Sequence, residues 1–258
     1  MKVYILKFRH GSVIITLIAV LIALISMIAV AGQKVNVIEV FSASRELPIY
    51  SVDCYEKKAA ITFDCAWGAD DIPEILNTLK KENIKATFFL VGQWAEKYPE
   101  TVKMIFDDGH DIGNHSYSHF RMGTLSEEKI QEEIIKCSEA IKNITGSSID
   151  LFRAPYGDYN NTVIRTAKKL GYFTIQWNVD SLDWKPGISE EEIISRINRK
   201  IQPGSIILFH NDTPQTAKIL PEIINMLKGQ GYSFEPVSNL IMRENYSIDH
   251  EGRQIRVK

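Results

Sequence analysis

The chain has 258 residues, 45% hydrophobic and 24% charged, with a formal net charge of −2 and a pI near 6.3. Less a membrane segment, that length bounds it to one domain of roughly 200 residues, enough to bury a sizeable core. The near-neutral balance supplies no global basic field and so argues against nucleic acid as a partner.

Lys2, Lys7 and Arg9 precede an uncharged run from Ser12 to Gln33. Val13 to Ala31 is almost entirely Val, Ile, Leu and Ala, and at about 1.5 Å per residue it just crosses a hydrocarbon core of ~30 Å. The run lacks a polar face, so it predicts a transmembrane helix rather than an amphipathic one. Basic residues stay cytoplasmic, which places the rest of the chain outside the cell membrane as a single-pass protein. Ala29-Val30-Ala31 also fits a signal-peptidase site, and cleavage after Ala31 would make the protein secreted; the length of the run favours an uncleaved anchor.

The expected organisation is a stub and anchor over 1–32, a stalk over 33–56 containing Pro48, a folded domain over 57–240 and a loose polar tail over 241–258. Strands are expected at Ala59–Phe63, Thr87–Val91, Asp111–Gly113, Asp150–Phe152, Phe173–Val179, Ser205–Phe209 and Ser233–Val237, all short, apolar and rich in Ile, Val and Phe. Helical patterns cover Ile72–Glu82, a run opened by Ser126 and stopped by Gly146, Ile193–Ile201 behind a Ser189/Glu192 capping box, and Thr216–Leu227. Roughly seven alternating units imply a parallel sheet with crossover helices. Asp64, His115, Arg153, Asp180 and His210 each follow a different strand, and a closed barrel brings such ends together on one face. The fold expected is therefore α/β, a closed β/α barrel rather than an open sheet, with an N-terminal transmembrane helix. Cys54, Cys65 and Cys137 lack zinc-finger spacing, and an odd count forbids complete internal pairing.

H-S-Y-S-H places His115 and His119 four residues apart, a spacing that on a helical turn puts both imidazoles on one face for a divalent ion. Alone, such a pair is as well read as surface histidines. Asp64 ends the strand T-F-D, although a loop aspartate would look the same. Arg153 in R-A-P-Y-G would lie beneath a polar site, where a buried guanidinium needs a carboxylate. Asp180, Asp183 and Trp184 share one loop, and His210 closes L-F-H.

Together these five segments, in this order, resemble the polysaccharide deacetylase family with the NodB homology domain (carbohydrate esterase family 4). T-F-D-C-A-W-G, R-A-P-Y-G-D-Y-N and the final H-N look most like its spore-associated branch. The resemblance spans about Lys57 to Leu240. It implies a deformed (β/α)7 barrel and removal of acetyl groups from N-acetylated sugars with a divalent metal, zinc by expectation. Residue by residue it implies that Asp64 is the base, Arg153 its partner, His115 and His119 the metal ligands, and His210 the acid with Asp183 beside it. The Tyr156 N–H would face the oxyanion, and Trp184 would line the acetyl pocket.

One position departs from the family's T-F-D-D: Cys65 stands where a second aspartate usually binds metal. The two histidines and water would then hold the ion, or Asp70 or Asp71 would replace the carboxylate, or Cys65 would ligate as thiolate. The expected function is N-deacetylation of cell-wall glycan, GlcNAc or MurNAc in peptidoglycan, with a role in sporulation. The alternatives are a catalytically impaired glycan-binding or sporulation protein on the same fold, and an O-acetyl esterase.

Overall fold

The computed structural model describes residues 10–31 and 45–257. The chain forms two compact units, Met1–Ser44 and Arg45–Lys258. In the first, α1 (His10–Ala31) is a 22-residue helix whose described side chains, residues 15–25, are exposed. Among the described residues no helix is long and apolar enough to cross a membrane. The expected span, residues 12–32, extends beyond the described side chains.

The second unit runs β1 (Ser51–Val52), β2 (Lys58–Cys65), α2 (Ile72–Lys81), β3 (Thr87–Leu90), α3 (Gly92–Lys97), α4 (Pro99–Asp107), β4 (Asp111–Asn114) and α5 (Glu127–Thr145). It continues β5 (Leu151–Phe152), α6 (Asn161–Lys169), β6 (Phe173–Thr174), β7 (Val179–Asp180), α7 (Glu190–Lys200), β8 (Ser205–His210) and α8 (Thr216–Gly229). It ends β9 (Ser233–Phe234), α9 (Val237–Leu240), β10 (Tyr246–Ile248) and β11 (Arg253–Arg256). A parallel run is ordered β7-β8-β2-β3-β4-β5-β6. Its two edges, β6 and β7, are consecutive in the chain with only residues 175–178 between them. The sheet must therefore curl until its edges approach, which gives a curled α/β half-barrel of the expected barrel type. Ile49 bridges Ile175 at this seam, and β1 pairs antiparallel with β8.

The period of two along each strand sorts side chains between two cores. Ala59, Ile61, Phe63 and Cys65 of β2 join Ile207 and Phe209 of β8 in a cluster under the helices. Ala60 and Ile206, of the other parity, pack inside the curl with Phe89, Ile49 and Val52. Thr62, Asp64 and His210 share that inner parity, so the polar ends of β2 and β8 face the concave side. Gly113 on β4 leaves room there: a Cβ would lie 2.4 Å from the Phe89 ring.

The helices close as their ends dictate. Ser126 Oγ accepts from Lys129 N–H at the start of α5, which stops at Gly146 with φ 72°. Ser189 and Glu192 form the reciprocal capping box of α7.

Several expectations need correction. The stalk over 33–56 is too long: residues 33–44 lie outside the described residues, but Arg45 onward belongs to the barrel unit, with Ile49 and Val52 each 2% exposed. The loose tail over 241–258 is instead a hairpin of β10 and β11, with β11 parallel to β1. Its polar residues find buried partners: Gln254, fully buried, accepts from Met242 N–H at 2.7 Å and donates to Met242 O at 2.8 Å. The single strand over Phe173–Val179 is two, because Asn178 uses its side chain to accept from Ile206 N–H at 2.9 Å and to donate to Ser205 Oγ at 3.0 Å. The helices α3, α4, α6 and α9 were not anticipated.

Candidate active site

The ends of β2, β4, β5 and β8 bring the motif residues together. Asp64 and His210 are direct register partners on adjacent strands. Arg153 is wholly buried beneath them. Its Nη1 donates to Asp64 Oδ1 at 2.6 Å and to Thr62 Oγ1 at 2.9 Å, and Nη2 donates to Gln176 O at 3.1 Å. The guanidinium lies 4.0 Å from the Phe89 ring centroid and 5.5 Å from that of Trp177. These contacts fix a cation under the carboxylate with little room to move. Burial alone would push Asp64 up. The charges of Arg153, His115 and His210 and the Arg153 hydrogen bond outweigh it and hold Asp64 below the usual carboxylate range.

His210 donates from Nδ1 to Asp183 Oδ1 at 2.8 Å and from its backbone N–H to Oδ2 at 2.7 Å. Thr216 Oγ1, fully buried at the start of α8, donates to the same Oδ2 at 2.7 Å. Asp183 is thus held by three donors and turns the imidazole so that Nε2 points away from it. Burial lowers His210, but Asp183's hydrogen bond and charge, with Asp64 and Asp180, outweigh it and raise its pKa.

His115 and His119 come together, with ring centroids 5.1 Å apart. They do so on a loop after β4, not on the expected helical turn, and His119 and Ser116 take φ values of 58° and 61°. His115 Nδ1–H donates to Arg153 O at 2.8 Å, so Nε2 is the lone-pair nitrogen of the neutral ring, and it faces Asp64 Oδ2 at 3.4 Å. Burial keeps His115 below its ordinary pKa, and burial with the His115 charge lowers His119 to about 3. Two lone pairs facing each other at that distance repel unless a cation lies between or beside them. The donor chemistry therefore fits a divalent ion. Among the described residues, no group of three or more His, Cys, Asp or Glu converges as a metal cluster.

Cys65 does not join the histidines. Its parity places it under the helices in the apolar cluster, fully buried. Burial and then the charges of Asp64 and Asp71 push its thiol well above the ordinary value. The thiolate alternative is corrected accordingly. Of the carboxylates in the remaining alternative, Asp70 and Asp71, Asp71 accepts from Asp212 N–H through Oδ2 at 2.8 Å and keeps Oδ1 buried without a hydrogen bond.

Tyr156 is held in the left-handed region at φ 61°, in the turn of R-A-P-Y-G. Its hydroxyl meets His119 Nδ1 at 3.1 Å, its ring lies 4.6 Å from that imidazole, and Arg121 stacks on it at 4.8 Å. Trp184, next to Asp183 in the chain, is 55% exposed. Trp67 is 65% exposed and edge-on to His119 at 5.8 Å. Sequence reasoning missed Trp67, Thr216, Thr62 and Gln176. Thr62 was legible, since it shares the inner parity of Asp64. Thr216 had no sequence signal, because its partner lies 33 residues away.

A profile of the polysaccharide deacetylase family matches residues 52–175. A peptidoglycan-N-acetylmuramic acid deacetylase, PdaA, of Bacillus subtilis is 32% identical over 84% of this chain and 82% of its own length. The chain belongs to the polysaccharide deacetylase family. A peptidoglycan-N-acetylglucosamine deacetylase of Bacillus cereus is 38% identical over 69% of this chain, which spans 66% of that protein. Among solved structures, a carbohydrate esterase family 4 pseudoenzyme from Bacillus anthracis superimposes with a TM-score of 0.72 at 37% identity, over 75% of this chain and 68% of that one. A mutant of the same protein is described as having restored enzymatic activity.

Proposed function

We propose that the protein is a metal-dependent hydrolase that removes N-acetyl groups from cell-wall glycan, with peptidoglycan GlcNAc or MurNAc as substrate and sporulation as its setting. The observation that carries this reading is the pair of dyads, Asp64–Arg153 and His210–Asp183, set on adjacent strands beside two imidazoles. The two relatives named above act on peptidoglycan by name, and the resemblance to the spore-associated branch supports the setting. The apolar run over 12–32 would hold the protein at the outer face of the cell membrane.

Amide hydrolysis needs an activated water, a stabilised oxyanion and a protonated leaving amine. A divalent ion, zinc by expectation, would be held by His115 and His119 and would lower the pKa of a bound water and polarise the acetyl carbonyl. Asp64, kept ionised by Arg153, takes the water's proton. The Tyr156 N–H, turned by its left-handed backbone, faces the developing negative oxygen. His210, protonated through Asp183, gives a proton to the departing nitrogen. Trp184 and Trp67, both exposed, would offer flat apolar faces to the sugar and its acetyl group.

A second reading, a glycan-binding protein with impaired catalysis, is favoured by Cys65, which is buried in the apolar cluster where the family usually offers a second aspartate. One experiment separates them: free amine released from acetylated peptidoglycan by the detergent-solubilised full chain with zinc, with and without a chelator. Chelator-sensitive release is expected. Glycan binding with no release would establish the second reading, and release of acetate from an O-acetylated xylan alone would establish an esterase.

A further inference from the structure

We infer that Glu133, on α5, is the positioning residue for the H-S-Y-S-H loop, and through it for any ion His115 and His119 hold; this rests on the metal reading above. The loop has neither helix nor strand geometry to satisfy its own backbone. Its amides are met one by one. His115 N–H donates to Leu90 O at 2.9 Å, Ser116 N–H to Asn114 Oδ1 at 2.9 Å, and His119 N–H to Ser116 Oγ at 3.0 Å. The two amides between the histidines, Tyr117 and Ser118, both donate to Glu133 Oε2, at 3.1 and 2.7 Å.

The carbonyl side is held by α3. Gly92 N–H donates to Ser116 O at 2.9 Å and Gln93 N–H to Tyr117 O at 3.0 Å. There is no slack on that side, since a Cβ on Gly92 would lie 2.5 Å from the Tyr117 ring. The loop is therefore gripped between one helix start and one carboxylate.

Glu133 is 1% exposed. Its other oxygen, Oε1, is buried without a hydrogen bond, and Lys129 Nζ stands 3.7 Å from it. A carboxylate buried with one bare oxygen is costly. The two amide bonds, which are charge-assisted and strong, offset that cost. Among the described residues, none of its hydrogen bonds or ion pairs reaches an imidazole ring, so it acts through the backbone: it holds the left-handed turn that brings the His119 ring beside that of His115, which faces Asp64.

Reach and charge can be tested apart. Glu133→Gln keeps the chain length and an oxygen with two lone pairs but loses the charge. Glu133→Asp keeps the charge but is one methylene short. Zinc is titrated calorimetrically into the solubilised full chain and both variants, with hydrogen exchange of the 115–119 segment followed in the metal-free protein. The expected result is a zinc affinity for Glu133→Gln within about threefold of wild type. Glu133→Asp should lose on the order of 10-fold or more, the usual scale for a support behind metal ligands, with faster exchange at Tyr117 and Ser118. Equal affinities for the two variants, or a greater loss in Glu133→Gln, would overturn the inference. A wild type that binds no zinc would overturn the metal reading beneath it, and exchange in the variants would still show whether the carboxylate grips the loop.

Discussion

Because Arg153 is wholly buried, a change at Asp64 has two consequences of different size. Asp64→Asn keeps an oxygen for the guanidinium but removes the charge opposite it. A stability loss of about 1–3 kcal/mol is expected in urea melts, with the fold retained. Turnover should fall about 10²–10⁴-fold, because the group is assigned to move a proton; amine release above a tenth of wild type would refute that role. The pH dependence follows from the same pair of residues. Asp64 lies below its ordinary 3.8 and His210 above its ordinary 6.5, so the rate should fall on the acid side as Asp64 is protonated and on the alkaline side above 6.5 as His210 is lost. The stabilities carry matching signs: Asp64's contribution is present above the unfolded carboxylate pKa and lost as pH falls through the folded value, whereas His210's is present below the unfolded imidazole pKa and lost as pH rises through the folded one. In a His210→Gln variant the alkaline limb should vanish, with a larger rate loss on an amide than on an ester. At this scale most of the site was legible from its motifs. Cys65 was misread in one of its three alternatives, although parity with Ile61 and Phe63 on the same strand already turned it toward the helices. A carboxylate there would meet apolar neighbours and the charges of Asp64 and Asp71. Cys65→Asp should therefore destabilise the metal-free protein by several kcal/mol, measured as a lowered urea midpoint in chelator.

Among the elements, the long periodic ones were legible and the short ones were not. Helices α2, α5, α7 and α8 announced themselves by apolar spacing, caps and stops, and β2 and β8 by continuous apolar runs. Helix α6 was hidden because it follows R-A-P-Y-G-D-Y-N directly and is nine residues long, with its cap, Asn160, inside that motif. The last hairpin was hidden because its partners are remote: Arg253 pairs with Asp53 at 2.7 Å, and β11 pairs with β1. Deleting residues 241–258 would uncover Val52, now 2% exposed, and remove the buried partner of β1. Exposing one such side chain costs about 1.5–3 kcal/mol, so a loss on the order of 3 kcal/mol or more is expected in urea melts. An unchanged midpoint would show the hairpin to be an ornament.

For the whole molecule, the order of motifs at strand ends was enough to give the curled parallel sheet, because each chemistry-bearing residue came from a different strand. The place where the domain begins was not legible. Residues 45–52 looked irregular, yet they supply Ile49 at the seam and β1 beside β8. A chain starting at residue 57 should therefore fold poorly, whereas one starting at 45 should melt cooperatively like the full chain; equal circular-dichroism melts for both would contradict the seam. This seam also sets how the molecule would bear load. Strand β1 sits near the start of the compact unit and β11 near its end, and β1 lies between β11 and β8, the strand that carries His210. A pull applied at residue 45 would not spread its force through the sheet. It would open the short β1 pairing like a zip, a few hydrogen bonds at a time, and the first strand laid bare would be the one that ends at His210.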